Sequence, residues 1–217
     1  DSIQVQKAAD LKFFSFGIKK ENADVNIIDV KANPFVEINF SNLIIKSHLI
    51  GLYNANNINA ALTIGKYFGV DDIAIKEGLE SYIPENNRSQ LLSKGTNQII
   101  LDAYNANPSS MKVAIENFLQ LDNPNKIMIL GDMFELGDAS TQEHLEVLKL
   151  LLDKNEIQCF FIGSAFYANK TVTTHFHFYE TFDSFSEYLK EIKIVNSVVL
   201  IKGSRGMALE RTLQFFS

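Results

Sequence analysis

An aspartate, a tyrosine and two asparagines crowd one short stretch, Asp102-Ala103-Tyr104-Asn105-Ala106-Asn107. A carboxylate there can accept hydrogen bonds from ribose hydroxyls, and an aromatic ring beside it can pack on a sugar or a base. Equally, Asp102 could do no more than bind backbone N–H groups of a turn, a common use of the residue. A second stretch, Lys202-Gly203-Ser204-Arg205, offers two cations around a glycine and a serine. If a helix begins there, its free N–H groups and dipole would attract an anion, and the flanking cations would strengthen that pull. A third, Gly131-Asp132-Met133-Phe134-Glu135-Leu136-Gly137, places two carboxylates in one loop. These could hold a metal or an ammonium group, or simply bind loop backbone. A fourth, Gly163-Ser164, completes the set.

All four stretches follow short apolar runs that read as buried strands. In an open parallel sheet such loops lie side by side at the carboxyl edge, where α/β proteins bind ligands. The strands expected after residue 90 are Gln98–Leu101, Lys126–Leu130, Ile157–Ile162, Phe176–Tyr179 and Ser197–Ile201. Helices are expected from about Pro108 to Leu121, Thr141 to Asp153, Asp183 to Ile192 and Arg205 to Phe216. Asn107 before Pro108 suits an N-cap with proline in the first helical position, and Ser140 with Glu143 has the spacing of a capping box. The alternation predicts an α/β fold, a mostly parallel sheet with helices on both faces.

The first part of the chain reads differently. Phe35–Phe40 alternates apolar and polar residues, Ser41-Asn42 is a turn signal, and Leu43–Leu49 is the returning strand. Leu11–Phe16 and Val25–Val30 are further strand candidates, and so short a meander belongs to a larger sheet. A helix follows from Asn54, with Ile58, Ala61, Leu62, Gly65 and Phe68 on one face and Gly69 at its end. Asp71 or Asp72 caps a second helix with Ile73, Ile75, Leu79 and Tyr82 as apolar positions. The polar segment Pro84-Glu85-Asn86-Asn87-Arg88-Ser89 marks a domain boundary, giving domains 1–85 and 86–217.

Composition narrows the classes. With 217 residues, 46% of them hydrophobic and 21% charged, this is the profile of a globular chain that needs no disulfide or metal for stability. The net charge of -6, with basic residues scattered, argues against nucleic-acid binding. No apolar run approaches the ~18 residues of a membrane span. The one cysteine, Cys159, lies in an apolar run and reads as a core residue, and a lone thiol fits a reducing compartment. His175-Phe176-His177 has zinc-binding spacing but lacks accompanying ligands, so a solvated strand is expected. His144, beside Glu143, reads as a capping or surface residue. There is no P-loop, no Gly-x-Gly-x-x-Gly and no nucleophile elbow.

Taken in order, several stretches resemble the Mur ligases. They are Gly51-Leu52-Tyr53-Asn54-Ala55-Asn56-Asn57, Asn87-Arg88, Asp102 through Met111, Leu130 through Gly137, and Ile201-Lys202-Gly203-Ser204-Arg205-Gly206-Met207. Within the family the likeness is to the branch that adds D-alanyl-D-alanine to UDP-N-acetylmuramoyl-tripeptide. The resemblance implies three domains, of which this chain would hold the tail of the central P-loop ATPase domain (1–85) and the whole Rossmann-like last domain (86–217). The P-loop, the Mg2+ ligands and a carbamylated lysine would lie upstream of Asp1, and the start Asp1-Ser2-Ile3, without Met, points the same way.

It also implies roles. Tyr53, Asn54 and Asn57 would stand on the adenine side of an ATP site. Arg88 would reach the ATP phosphates and neutralise charge on the transferred phosphoryl group. Asp102 would bind ribose, with Tyr104 and Asn105 lining the same cleft. Asn107, Asp132, Lys202, Ser204 and Arg205 would face the dipeptide. Tyr53 stands where the family has histidine, which keeps an aromatic surface for adenine but changes the hydrogen bonding. No residue of this chain is expected to ligate a metal. The implied reaction is cytoplasmic: ATP phosphorylates the tripeptide carboxylate and the dipeptide amine attacks the acyl phosphate. Alone, this chain would be inactive. The alternatives are a nucleotide- or amino-acid-binding module without catalysis, a sister Mur ligase, or a folylpolyglutamate synthase.

Overall fold

The computed structural model describes residues 13–216. The chain divides into two compact units, Asp1–Ile83 and Pro84–Ser217.

In the first unit, β1 (Phe16–Ile18) and β2 (Val25–Ile27) form a parallel pair. Strands β3 (Asp29–Ala32), β4 (Phe35–Phe40) and β5 (Leu43–Ile50) form an antiparallel sheet. The alternation along Phe35–Phe40 is realised: Val36, Ile38 and Phe40 are buried and the residues between them are not. Ser41 and Asn42 make the turn, both left-handed at φ 47° and 63°, the conformation that matches the twist of a tight hairpin. The expected strand Val25–Val30 is two strands, broken at Ile28. The expected strand Leu11–Phe16 begins outside the described residues, and β1 starts at its last position.

Helix α1 (Ala55–Tyr67) buries Ala55, Ile58, Asn59, Leu62 and Thr63. The expected face was rotated: Ala61 and Phe68 are exposed, because the sheet selects the stripe through Asn59 and Thr63 instead. Helix α2 (Asp72–Ser81) is capped by Asp71, whose side chain accepts from the Ile73 N–H at 2.9 Å. Only Ile75 of its apolar positions is fully buried, while Ile73 and Tyr82 are exposed.

The second unit is built on a six-stranded sheet, ordered β10-β9-β8-β11-β7-β6. Its strands are β6 (Gln90–Lys94), β7 (Asn97–Asp102), β8 (Lys126–Gly131), β9 (Ile157–Ile162), β10 (Phe176–Tyr179) and β11 (Val198–Lys202). All pairings are parallel except β6 with β7. Strand β11 is buried at all five positions, the near-continuous apolar run expected of a strand covered on both faces. Flanking helices are α3 (Pro108–Leu119), α4 (Ser140–Leu151), α5 (Ser164–Ala168) and α6 (Phe182–Glu191). The α/β expectation therefore holds.

Three details differ from the sequence reading. Strand β6 was unforeseen; its Leu91 and Leu92 are only half-buried, so it shows no alternation. Ser140 does not cap α4, which Ala139 precedes without a side-chain bond. The stretch expected as a final helix from Arg205 is two 3-10 turns, Arg205–Met207 and Leu209–Phe215. Ala208, left-handed at φ 47°, separates them and halts any regular helix.

The order of the strands locates the ligand edge. From β7 the chain passes to β8, moves outward to β9 and β10, and returns to insert β11 between β7 and β8. At such a reversal neighbouring loops diverge and leave a crevice beyond the carboxyl ends of the strands. The loops after β7, β8 and β11 meet there. Among the described residues, no helix is long and apolar enough to cross a membrane.

Candidate functional site

Lys202 ends β11 in register with Asp102 of β7. Its ammonium group donates to Asp102 Oδ2 at 2.6 Å and to the Asn105 carbonyl at 3.2 Å. Lys202 is only 1% exposed. It thus forms the floor of the cleft, and the expectation that it faces a substrate gives way. The other carboxylate oxygen of Asp102 accepts from the Ser89 N–H at 3.1 Å, with the Ser89 hydroxyl at 3.4 Å. A carboxylate has about four lone-pair positions, so Asp102 retains acceptor capacity on its open side.

Above this floor lies Tyr104. The Arg88 guanidinium sits 3.8 Å from the centre of its ring, and that of Arg205 lies at 5.5 Å. Each contact contributes about 0.5–1 kcal/mol at an exposed position. Two guanidinium groups sharing one ring repel one another, and an anion between them would relieve that repulsion. Arg88 belongs to a segment of unusual backbone: Asn86, Asn87 and Ser89 are left-handed, with φ of 58°, 59° and 47°. Asparagine adopts this conformation readily, serine does not. Bonds that hold the segment include Ser89 N–H to Asp102 and Tyr104 N–H to the Asn87 carbonyl, both at 3.1 Å.

Asn107 caps α3 as expected. Its Oδ1 accepts from Ser110 N and Ser109 Oγ, both at 2.9 Å, and Ser110 Oγ accepts from Asn107 N–H at 3.1 Å. That oxygen is therefore engaged in capping, and a substrate role for it recedes. Asn105 accepts with its side chain from the Ala106 N–H at 2.8 Å, a local bond that shapes the loop. Ser204 is 3% exposed and ties three loops together. Its Oγ accepts from Phe134 N–H at 2.8 Å and lies 3.5 Å from the Ala106 carbonyl, while its N–H donates to the Asp132 carbonyl at 3.1 Å. Of the four-residue stretch at the end of β11, Arg205 is the exposed one. The three-residue turn that follows is too short for a substantial dipole, so cationic side chains replace the helix start as the anion-attracting element.

Asp132 faces inward, against expectation. It is 3% exposed, and its two oxygens accept from Ala165 N–H at 2.8 Å and Phe166 N–H at 2.9 Å. It thereby caps α5 from a different loop. Gly163 makes this possible: at φ 127°, an added Cβ would lie 2.3 Å from Asp132 Cγ. Gly203 serves a similar close approach, since a Cβ there would lie 3.1 Å from Gly131 Cα.

His144 was read as a capping or surface residue and is instead fully buried. Its Nδ1 lies 2.7 Å from the Ser140 carbonyl, which only accepts, and its Nε2 accepts from Met133 N–H at 3.0 Å. These bonds place the proton on Nδ1. The available signal was its phase: residues 144, 147, 148 and 151 form the buried stripe of α4. His175 is likewise buried rather than solvated, beside the Leu151 carbonyl at 3.3 Å. His177 stacks on Phe160, and burial lowers its pKa. Cys159 is fully buried, as expected, and burial pushes its thiol up to about 12. Ser89, which anchors Arg88, carried no signal in the sequence.

Three expected site residues lie in the other unit. Asn54 is buried, donating from Nδ2 to the Ile50 carbonyl at 2.8 Å, and its Oδ1 accepts from Asn57 Nδ2 at 3.0 Å. Tyr53 precedes them, half-buried. A separate groove of about 520 Å3 in the second unit runs between α3 and α4, lined by Pro108, Lys112, Glu143, Glu146, Lys149 and others. It lies on helical surface and its cations face carboxylates, as in Lys149 with Glu146 at 2.9 Å.

The family model for the Mur ligase, glutamate ligase domain matches residues 87–205. The chain belongs to the Mur ligase family. The matched span begins beside Arg88 and ends at Arg205, enclosing the crevice loops of this Mur ligase chain. Among curated relatives, the UDP-N-acetylmuramoyl-tripeptide--D-alanyl-D-alanine ligase of Bacillus subtilis is 33% identical over 76% of this chain and 38% of its own length. The enzyme of the same name from Borreliella burgdorferi is 28% identical over 85% of this chain and 46% of its own. This Mur ligase chain therefore spans less than half the length of these relatives. A crystal structure of MurF from Acinetobacter baumannii superposes with a TM-score of 0.78 at 27% identity, covering 98% of this chain and 48% of that one.

Proposed function

We propose that this chain is part of an ATP-dependent amide ligase that joins D-alanyl-D-alanine to UDP-N-acetylmuramoyl-tripeptide in the cytoplasm. Residues 1–85 are then the tail of a central ATPase domain and 86–217 the last domain. The observation that carries the reading is the pair of guanidinium groups on Tyr104 at the crevice where β11 inserts between β7 and β8. The names of the relatives support the choice of substrates.

The residues present fit a nucleotide. ATP supplies the phosphoryl group that activates the tripeptide carboxylate as an acyl phosphate. Arg88 then meets the phosphates and stabilises the charge that develops on them. Asp102 offers its open side to ribose hydroxyls, and Tyr104 and Asn105 shape the wall beside it. Arg205 offers its charge to the dipeptide carboxylate, and Ser204 holds the loop that presents it. In the first unit we assign Tyr53, Asn54 and Asn57 to the nucleotide, Asn54 and Asn57 forming a bonded pair. The contribution of these residues is positioning and charge.

Among the described residues no three of His, Cys, Asp or Glu cluster, and Asp132 is committed to backbone N–H groups. We propose that the Mg2+ ligands lie outside this chain, and the chain by itself is expected to be inactive.

The test is ligation by the full-length polypeptide with and without Arg88→Ala. Loss of one charge-stabilising donor predicts a fall of about 10²–10³-fold in kcat, with unchanged thermal unfolding because Arg88 is exposed. Wild-type kinetics in the variant would remove Arg88 from the mechanism. Absence of D-alanyl-D-alanine ligation by the full-length protein would remove the reading itself.

A further inference from the structure

We propose that Lys202 is a positioning residue for Arg88, acting through Asp102 and Ser89. The proposal rests on the ligase reading only for the importance of Arg88; the mechanical connection stands on geometry alone.

Arg88 lies between two residues anchored to the loop after β7. On one side the Asn87 carbonyl accepts from Tyr104 N–H at 3.1 Å. On the other, Ser89 N–H donates to Asp102 Oδ1 at 3.1 Å. Ser89 is held at φ 47°, a conformation that a β-substituted residue keeps only where its surroundings dictate it. Asp102 accepts from both the N–H and the hydroxyl of Ser89 and so helps to hold it there, and Asp102 is itself fixed from below by Lys202 at 2.6 Å. The same ammonium group grips the Asn105 carbonyl at 3.2 Å, closing the loop that carries Tyr104. One buried cation therefore sets both the platform on which Arg88 rests and the backbone from which it projects.

The chemistry favours this role over direct binding. The Lys202 side chain is 2% exposed and that of Asp102 18%. An ammonium group so enclosed has three donors to satisfy, and protein acceptors take at least two of them. Without it the Asp102 carboxylate would lose its counter-charge and swing toward water. The bond that stabilises Ser89 would go with it, and segment 86–89 would relax out of the left-handed region. Arg88 would then leave the ring without having been altered itself.

The experiment compares Lys202→Met, Asp102→Asn and the double variant. In this chain, hydrogen exchange at the Ser89 amide is read by NMR against amides of β8 and β9 as internal controls. Lys202→Met is expected to raise exchange at Ser89 at least tenfold while the β8 and β9 amides keep their protection. In the full-length polypeptide the same change is expected to lower kcat by about tenfold or more. If Lys202 acts on Ser89 through Asp102, the double variant matches Asp102→Asn in Ser89 exchange, because the second contact of the cation, to the Asn105 carbonyl, bears on the Tyr104 loop and not on Ser89. Should Lys202→Met alone fail to fold with an unpaired carboxylate beneath it, the neutral double variant and Asp102→Asn still decide the matter. Unchanged Ser89 exchange in a folded Lys202→Met, or additive effects on Ser89 exchange in the double variant, would overturn the proposal. A full-length protein without ligase activity would count against the functional reading and leave the exchange result to judge the positioning role.

Discussion

Aromatic side chains sit differently in the two units. In Pro84–Ser217 the rings of Phe118, Phe161, Phe166 and Phe185 are fully buried, and Phe161 packs against Phe166, Phe176 and Phe178 with ring centres 5.0 Å apart. In Asp1–Ile83, Phe13, Phe14, Tyr67, Phe68 and Tyr82 are exposed, and Ile64 and Val70 lie exposed near Tyr67 and Phe68 in the chain. The cause is architectural. Six strands with flanking helices give most large rings of this unit two covered faces to pack into, while Tyr104 and Phe134 stay exposed on its loops. A three-stranded sheet, a two-stranded pair and two helices enclose a mostly aliphatic centre of Val25, Ile27, Val36, Ile38, Ile58 and Leu62, with Phe40 as its one buried ring among the described residues. Exposed apolar surface on this scale marks a face that another protein surface covers. That fits the proposal that the first unit is the end of a larger domain.

The sharpest way to break this contrast is to separate the units. Residues 84–217 alone are expected to unfold in one cooperative transition, whereas residues 1–83 alone are expected to bind a hydrophobic dye and melt without a sharp midpoint. A cooperative, dye-silent first unit would end the comparison. A smaller effect comes from single rings. Phe161→Ala is expected to cost about 3–5 kcal/mol in chemical denaturation, the range for emptying a packed core. Phe68→Ala, at a position 75% exposed, is expected to change stability by less than about 0.5 kcal/mol. Equal costs would show that Phe68 is packed in solution.

The smallest effect concerns Cys159. Its thiol is raised to about 12 in the folded chain, against about 8.5 when unfolded. The folded state thus binds the proton more tightly, so the stabilisation is complete below pH ~8.5 and is lost as pH rises toward 12. Thiol labelling at pH 8 should proceed only as fast as the second unit opens. Immediate labelling of native protein would show that β9 is less closed than its neighbours suggest.

The same contrast explains what was legible in the sequence. Strands such as Phe35–Phe40 and Ile157–Ile162 were readable because each must bury one face or both, and burial imprints a pattern. The loops of the site were readable because they follow such strands. Strand β6 was not, since an edge strand with two half-buried leucines has little pattern to leave. Buried polar residues were the other gap. Asp132, Lys202 and Ser204 look from the sequence like groups awaiting a ligand, and His144 like a capping or surface residue. Each is instead satisfied by the protein, through partners 11 to 100 residues away. Residue type announces what a side chain can bind, while long-range geometry decides whether anything is left of it for a ligand.

Tyr104 also has an optical consequence. The chain has seven tyrosines and no tryptophan, so no indole emission masks the phenols. One of those phenols lies directly beneath a guanidinium group. Its absorbance and emission are therefore a native gauge of whether that cation stays on the ring or lifts away, available without dye, tag or substitution.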